Sequence, residues 1–133
     1  MRASPIPPSE IQHEILRVLW RRGEATVVEV HAELKEQRDL APTTVATTLS
    51  RMEKKGLVRH RTEGRQFVYE ASVSEQEVRR AMVRTLTERL FEGDVAALVS
   101  HLLDGRDVSP GDLERVKAMI RRREQELEAN HGD

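Results

Sequence analysis

The chain has no cysteine among its 133 residues. Disulfides, thiol nucleophiles and cysteine-ligated zinc are excluded, and a reducing cytoplasm is the expected address. Long apolar runs are missing as well. Nothing approaches the roughly 18 to 20 residues that a membrane span requires, and the opening MRASPIPPSE lacks the apolar middle of a signal peptide, so no membrane association is expected.

The signatures of catalysis are equally scarce. His13 and Glu14 begin like a zinc-protease motif, but the position that needs a second histidine holds Arg17. The 5 histidines are scattered, no glycine-rich phosphate loop occurs, and no nucleophile has an evident base beside it. Neither an enzymatic activity nor a cofactor or metal is expected.

Excess charge of either sign is also absent, since the formal net charge is -1. That argues against nucleic acid as a partner until the distribution is considered. Residues 1–70 carry 12 basic against 10 acidic side chains, and residues 71–133 carry 10 against 13. Between Pro42 and Arg65 the balance is 6 basic to 2 acidic, so positive charge is concentrated in one segment.

What is present is mainly helical periodicity. Ser9 and Gln12 form a capping-box signal ahead of Ile11, Ile15, Leu16 and Leu19, and Gly23 stops the run. Thr26 and Glu29 repeat the signal ahead of Val27, Val30 and Leu34, and this second helix fades over residues 35–39. A third helix is expected from Pro42, well placed at a first helical position, to about Lys55, with Gly56 as its stop. The period then becomes alternating. LVRHR and RQFVYEA read as two strands around a three-residue loop of Thr62, Glu63 and Gly64, with Phe67 and Tyr69 sharing a core face. Three helices followed by a hairpin is the order of a winged helix-turn-helix domain.

The remainder is helical by pattern. Ser74 and Glu77 open a helix bearing Val78, Met82, Leu86 and Leu90, and Gly93 closes it. Asp94 caps another with Val95, Leu98, Val99, Leu102 and Leu103. Ser109 and Pro110 start a last one with Leu113, Val116, Ile120 and Leu127 along one side. Helices this short bury too little apolar surface alone, so these stripes are expected to pack against a second copy of the chain, or else to fold back on the amino-terminal domain. The expected divisions are a flexible arm over residues 1–8, the winged helix over 9–72, a helical dimerisation domain over 73–127 and a polar tail over 128–133. The expected fold class is therefore mainly α with one small β-hairpin.

The third helix carries the functional signal. Thr44, Thr47, Thr48 and Arg51 fall on one stripe, and Val45, Leu49 and Met52 on the opposite one. Threonine is a mediocre helix former, so its repetition on an exposed face points to contact chemistry: hydroxyls for phosphates and base edges, a methyl for thymine, Arg51 for guanine. The alternative is that the hydroxyls bond back to their own helix carbonyls. Lys54 and Lys55 extend the positive end, and Arg61 and Arg65 flank the hairpin tip, where phosphate or minor-groove contact is expected.

The segment PTTVATTLSRMEKKGLVRHRTEGRQFVYE, followed by LFEGDVAALVSHLL, resembles the penicillinase repressor family of bacteria, the BlaI and MecI type, from about Ile11 to about Arg122. The resemblance implies a homodimeric repressor in the bacterial cytoplasm that binds a palindromic operator on double-stranded DNA and dimerises through its carboxy-terminal domain. By matching positions it implies that Thr43, Thr44, Thr47 and Arg51 meet DNA from the third helix and Arg65 from the wing. It also implies release by an upstream sensor or protease. The Asn-Phe bond that is cut in well-known members falls here on His101-Leu102, and the cysteine cluster of copper-responsive relatives is missing. Ala41 stands where members often place a capping serine. The rival reading is a winged helix used only to bind protein.

Overall fold

The computed structural model describes residues 7–131. They form α1 (Glu10–Arg22), β1 (Ala25–Thr26), α2 (Val27–Leu34), α3 (Pro42–Lys54), β2 (Val58–Glu63), β3 (Gln66–Ala71), α4 (Glu75–Phe91), α5 (Val95–Leu103) and α6 (Pro110–His131). The chain separates into two compact units with the division after Leu86, inside α4.

The first unit is a winged helix. Ser9 and Gln12 close a reciprocal capping box on α1, and Thr26 and Glu29 do the same on α2. Each pair satisfies two amide donors that a helix start leaves open. α3 has Pro42 at its start but no side-chain cap, because Ala41 occupies the capping position. Its other end is turned by Gly56, whose φ of 82° is costly for any residue with a Cβ.

Ile15, Leu16 and Leu19 of α1 meet Val30 and Leu34 of α2 and Val45, Leu49 and Met52 of α3 in one core. The sheet closes it with Ala25, Val58 and Tyr69. Its strand order is β1-β3-β2, all antiparallel. The indole of Trp20 donates to the Val73 carbonyl at 2.9 Å, tying α1 to the segment that leads into α4.

Several expectations change here. β1 has no counterpart in the sequence pattern, because two residues cannot display a period. The hairpin is tighter than expected: Glu63 pairs with Gln66, so Thr62 and Glu63 belong to β2 and the turn is Gly64-Arg65 alone. Gly64 takes φ 64° at the first turn position, where a two-residue hairpin favours glycine. Tyr69 is buried, but Phe67 is 46% exposed, because it lies beyond the part of β3 that β1 flanks. Val78, expected on the dimerisation face, is 1% exposed in the first unit's core. Val73 and Ala81 are buried with it, so the winged helix extends past residue 72 into α4. Of the expected flexible arm, residues 1–6 lie outside the described residues and Pro8 is buried.

The second unit is helical and sparsely packed. α5 is capped by Asp94, which accepts from the Ala97 amide at 3.0 Å, and Ser109 and Asp112 cap α6 reciprocally at 3.1 Å. Neither α5 nor α6 contains a buried residue. Helix continues to His131, so residues 128–131, expected as part of a polar tail, are the last turn of α6.

Candidate nucleic-acid interface

α3 exposes the face that periodicity implies. Val45, Leu49 and Met52 are completely buried, which fixes the rotation of the helix about its axis. Thr43, Thr44, Thr47 and Arg51 are consequently exposed, and Thr48 is half-buried. The threonines are not equivalent. The Thr48 hydroxyl donates to the Thr44 carbonyl at 2.7 Å, the back-bond that competes with an outward role. Among the described residues no such bond engages the hydroxyls of Thr43, Thr44 or Thr47.

The cations around this face also divide. Arg51, Lys54 and Arg65 are exposed, and none forms an ion pair among the described residues. The Lys55 ammonium donates to Gln12 Oε1 at 3.1 Å, linking the end of α3 to the start of α1 while leaving two of its protons for other acceptors. Arg61 is fully engaged. Its guanidinium donates to both carboxylate oxygens of Glu24, at 2.5 and 3.0 Å, and to Glu63 at 2.8 Å. The bonds to Glu24 and, second, to Glu63 raise the Arg61 pKa above its ordinary value, and the contact with Arg61 lowers that of Glu24. Arg59, from the same basic run, donates to Glu70 at 2.7 Å. The face that remains positive and free of ion pairs among the described residues is therefore narrower than the basic count suggests: Arg51, Lys54 and Lys55 at the end of the helix and Arg65 at the hairpin turn.

Sequence reasoning passed over one arrangement at this face. Glu53 points from α3 toward the hairpin, and His60 Nδ1 lies 2.6 and 2.9 Å from its two oxygens. A carboxylate only accepts, so Nδ1 carries the proton. The imidazole stacks on Phe67 with ring centres 4.1 Å apart, and Tyr69 lies 5.5 Å from it. Burial raises the Tyr69 pKa, and the Glu53 charge adds to the shift. Alternation along RHR does place His60 opposite Arg59 and Arg61, but its partner on α3 is a tertiary fact.

Among the described residues no group of three or more His, Asp or Glu is gathered as metal ligands, and no helix is long and apolar enough to cross a membrane. A three-helix core with an exposed third helix beside a β-hairpin defines a winged helix protein.

The penicillinase repressor family profile matches residues 8–122, and the chain belongs to that family. The family is one of transcriptional repressors rather than enzymes. The penicillinase repressor of Bacillus licheniformis is 26% identical over 112 residues, spanning 84% of this chain and 88% of that one. The methicillin resistance regulatory protein MecI of Mammaliicoccus sciuri is 22% identical over 115 residues, spanning 86% and 94%. The solution structure of the DNA binding domain of the repressor BlaI superimposes with a TM-score of 0.50 at 34% identity, covering 58% of this chain and 93% of that domain. Family membership and fold thus agree with the resemblance seen in the sequence.

Proposed function

We propose that this chain is a homodimeric, sequence-specific repressor of the bacterial cytoplasm, which inserts α3 into the major groove of a palindromic operator and lays its hairpin on the neighbouring backbone. The observation that carries the reading is the outward face of α3. It holds three threonine hydroxyls and the Arg51 guanidinium, exposed and without protein partners among the described residues. Such groups on a helix rotated by a buried opposite stripe suit base edges and phosphates. Thr43, Thr44, Thr47 and Arg51 are the proposed base-reading and positioning contacts. Lys54, Lys55 and Arg65 supply phosphate contacts.

Dimerisation through the second unit is supported by its unburied apolar surface. Val95 is 64% exposed, Leu102 58% and Ile120 51%. Leu102, Leu103, Val116 and Met119 line an open apolar hollow of about 310 Å³. A soluble chain seldom leaves such surface to water without a partner. Leu90, Leu98, Val99 and Leu113 continue the same stripes. Met82 and Leu86 are exposed on the first unit's part of α4 and are proposed as dimer contacts in their own right. Release by an upstream sensor or protease completes the proposal, by a route other than cleavage of an Asn-Phe bond, since His101-Leu102 stands in its place.

The test is fluorescence anisotropy with labelled duplex from upstream of the protein's own gene, at two salt concentrations, beside a scrambled duplex. Tight binding that prefers the upstream sequence and weakens steeply with salt is expected. Binding that ignores both sequence and salt would favour the rival protein-binding module.

A further inference from the structure

The hairpin needs more than its own pairing to keep a fixed direction. β1 flanks β3 only where Ala25 faces Tyr69 and Thr26 faces Val68, so from Thr62 to Phe67 the sheet is a bare two-stranded ribbon. A two-stranded ribbon is marginal in water and its angle is weakly determined. Two consecutive residues of β2 brace the root of that ribbon, where His60 pairs with Tyr69 and Arg61 with Val68. Successive side chains on a strand point to opposite faces. From one face His60 reaches Glu53 of α3, and from the other Arg61 reaches Glu24 in the link between α1 and β1. Phe67, stacked on His60, carries the first of these ties outward along β3.

We propose that His60 and Arg61 are positioning residues that clamp the wing from its two faces, so that α3 and the turn residue Arg65 meet one duplex at a set spacing. This rests on the DNA-binding reading above and goes beyond it by giving Arg61, expected from the sequence to contact DNA, a structural role and by adding three residues, His60, Glu53 and Glu24, that touch no DNA. Arg61 is poorly suited to phosphate, because the cluster of Glu24, Arg61 and Glu63 carries two negative charges against one positive. Its guanidinium would have to break ion pairs before reaching DNA. The gain from a clamp is preorganisation: a wing already held at the bound angle loses less freedom on binding than a swinging one.

The proposal makes a prediction whose sign opposes simple electrostatics. Glu24→Ala and Glu53→Ala each remove a negative charge near the proposed DNA face. Charge alone would make both variants bind more tightly. Loss of the clamp makes both bind more weakly, by about five- to tenfold, a coupling usual for residues in one network. The measurement is anisotropy of the full-length variants on a duplex that the wild-type chain selects from a random library, with thermal midpoints taken in parallel. Hydroxyl-radical footprints add a second readout. Protection at the sugar positions under the wing is expected to fade in both variants, while methylation protection of guanines under α3 persists. Equal or tighter binding by both folded variants, with the wing footprint intact, overturns the clamp and leaves the DNA-binding reading standing. Weakening in one variant alone keeps the clamp on that face and overturns it on the other. Failure of the wild-type chain to select any duplex overturns both the reading and the clamp.

Discussion

His60 and Glu53 stand seven positions apart in sequence, yet Nδ1 and Oε1 lie 2.6 Å apart, joining the exposed third helix to the hairpin beside it. The helix is thereby held by side chains at its carboxy-terminal end. Lys55 binds it to Gln12 of α1 at its carboxy-terminal end, and Pro42 starts it without a capping hydroxyl. The two fastenings lie at one end of the candidate reading face without occupying it, and they separate residues that hold the site from residues free to touch a partner.

Arg51 belongs to the second group. Arg51→Ala is expected to weaken binding to the selected duplex by about 1 to 3 kcal/mol, the usual worth of a bidentate contact to guanine. Its thermal midpoint should be little changed, because the side chain is exposed and has no ion pair among the described residues. Anisotropy and a melting curve on the same preparation check both halves. Undiminished affinity would remove Arg51 from the site.

The threonines offer an internal control. The Thr48 hydroxyl is already committed to the Thr44 carbonyl, whereas that of Thr47 points outward. Thr47→Ala is expected to lower operator affinity several-fold, while Thr48→Ala leaves it nearly unchanged and raises stability by roughly 0.5 kcal/mol through better helix propensity. Equal losses of affinity from the two variants would contradict the division.

Ala41 is a missed cap that can be supplied. Its backbone is extended at φ -70° and ψ 147°, the conformation of a capping residue, and no side chain caps the first turn. Ala41→Ser is expected to stabilise the chain by about 1 kcal/mol, measured as a rise in the denaturation midpoint. A midpoint that stays put would mean that water already satisfies those amides as well as serine can.

Acid should loosen α2 first at its cap. Hydrogen bonds from the Thr26 backbone and hydroxyl lower the Glu29 pKa below its ordinary value. A carboxyl depressed in the folded state adds stability above its unfolded pKa, and that stability is lost as the pH falls through the folded value. Stability contributed by Glu29 is therefore expected to be complete near neutrality and to disappear below the ordinary carboxylate range. Carbon-detected NMR titration of the Glu29 carboxyl, with Thr26→Ala as the comparison, checks the sign: the variant should titrate at higher pH.

Self-association should depend on the second unit. Ile120→Glu places a charge on an apolar surface that is half exposed in the single chain. If a second copy covers that surface, the variant sediments as a monomer at concentrations where the wild type is dimeric, and it retains weak binding to a single half-site. A wild-type chain that is monomeric throughout a dilution series would refute the dimer.

Much of this organisation was legible in the sequence. Caps, stops and apolar stripes are local signals. Hydroxyls three residues ahead of an acid or amide mark the starts of α1, α2 and α4, Ser109 with Pro110 marks that of α6, and the buried stripe Val45, Leu49 and Met52 determines which side of α3 is exposed. Helix and hairpin identity, their order, and the family resemblance all follow from patterns a few residues long. The tertiary structure decided the rest, because it turns on groups that no local period relates. Val78 belongs to a helix whose stripe reads uniformly as interface, but its place in one cluster with Val73 and the helices of the winged helix makes it core. β1 exists only because β3 offers it an edge. Arg61 reads as one more cation in a basic run until the fold brings Glu24 across 37 positions to neutralise it. Sequence spacing determines which side chains share a face. Which charges remain available for a partner depends on what the opposite face of another element presents, and only the folded chain sets that.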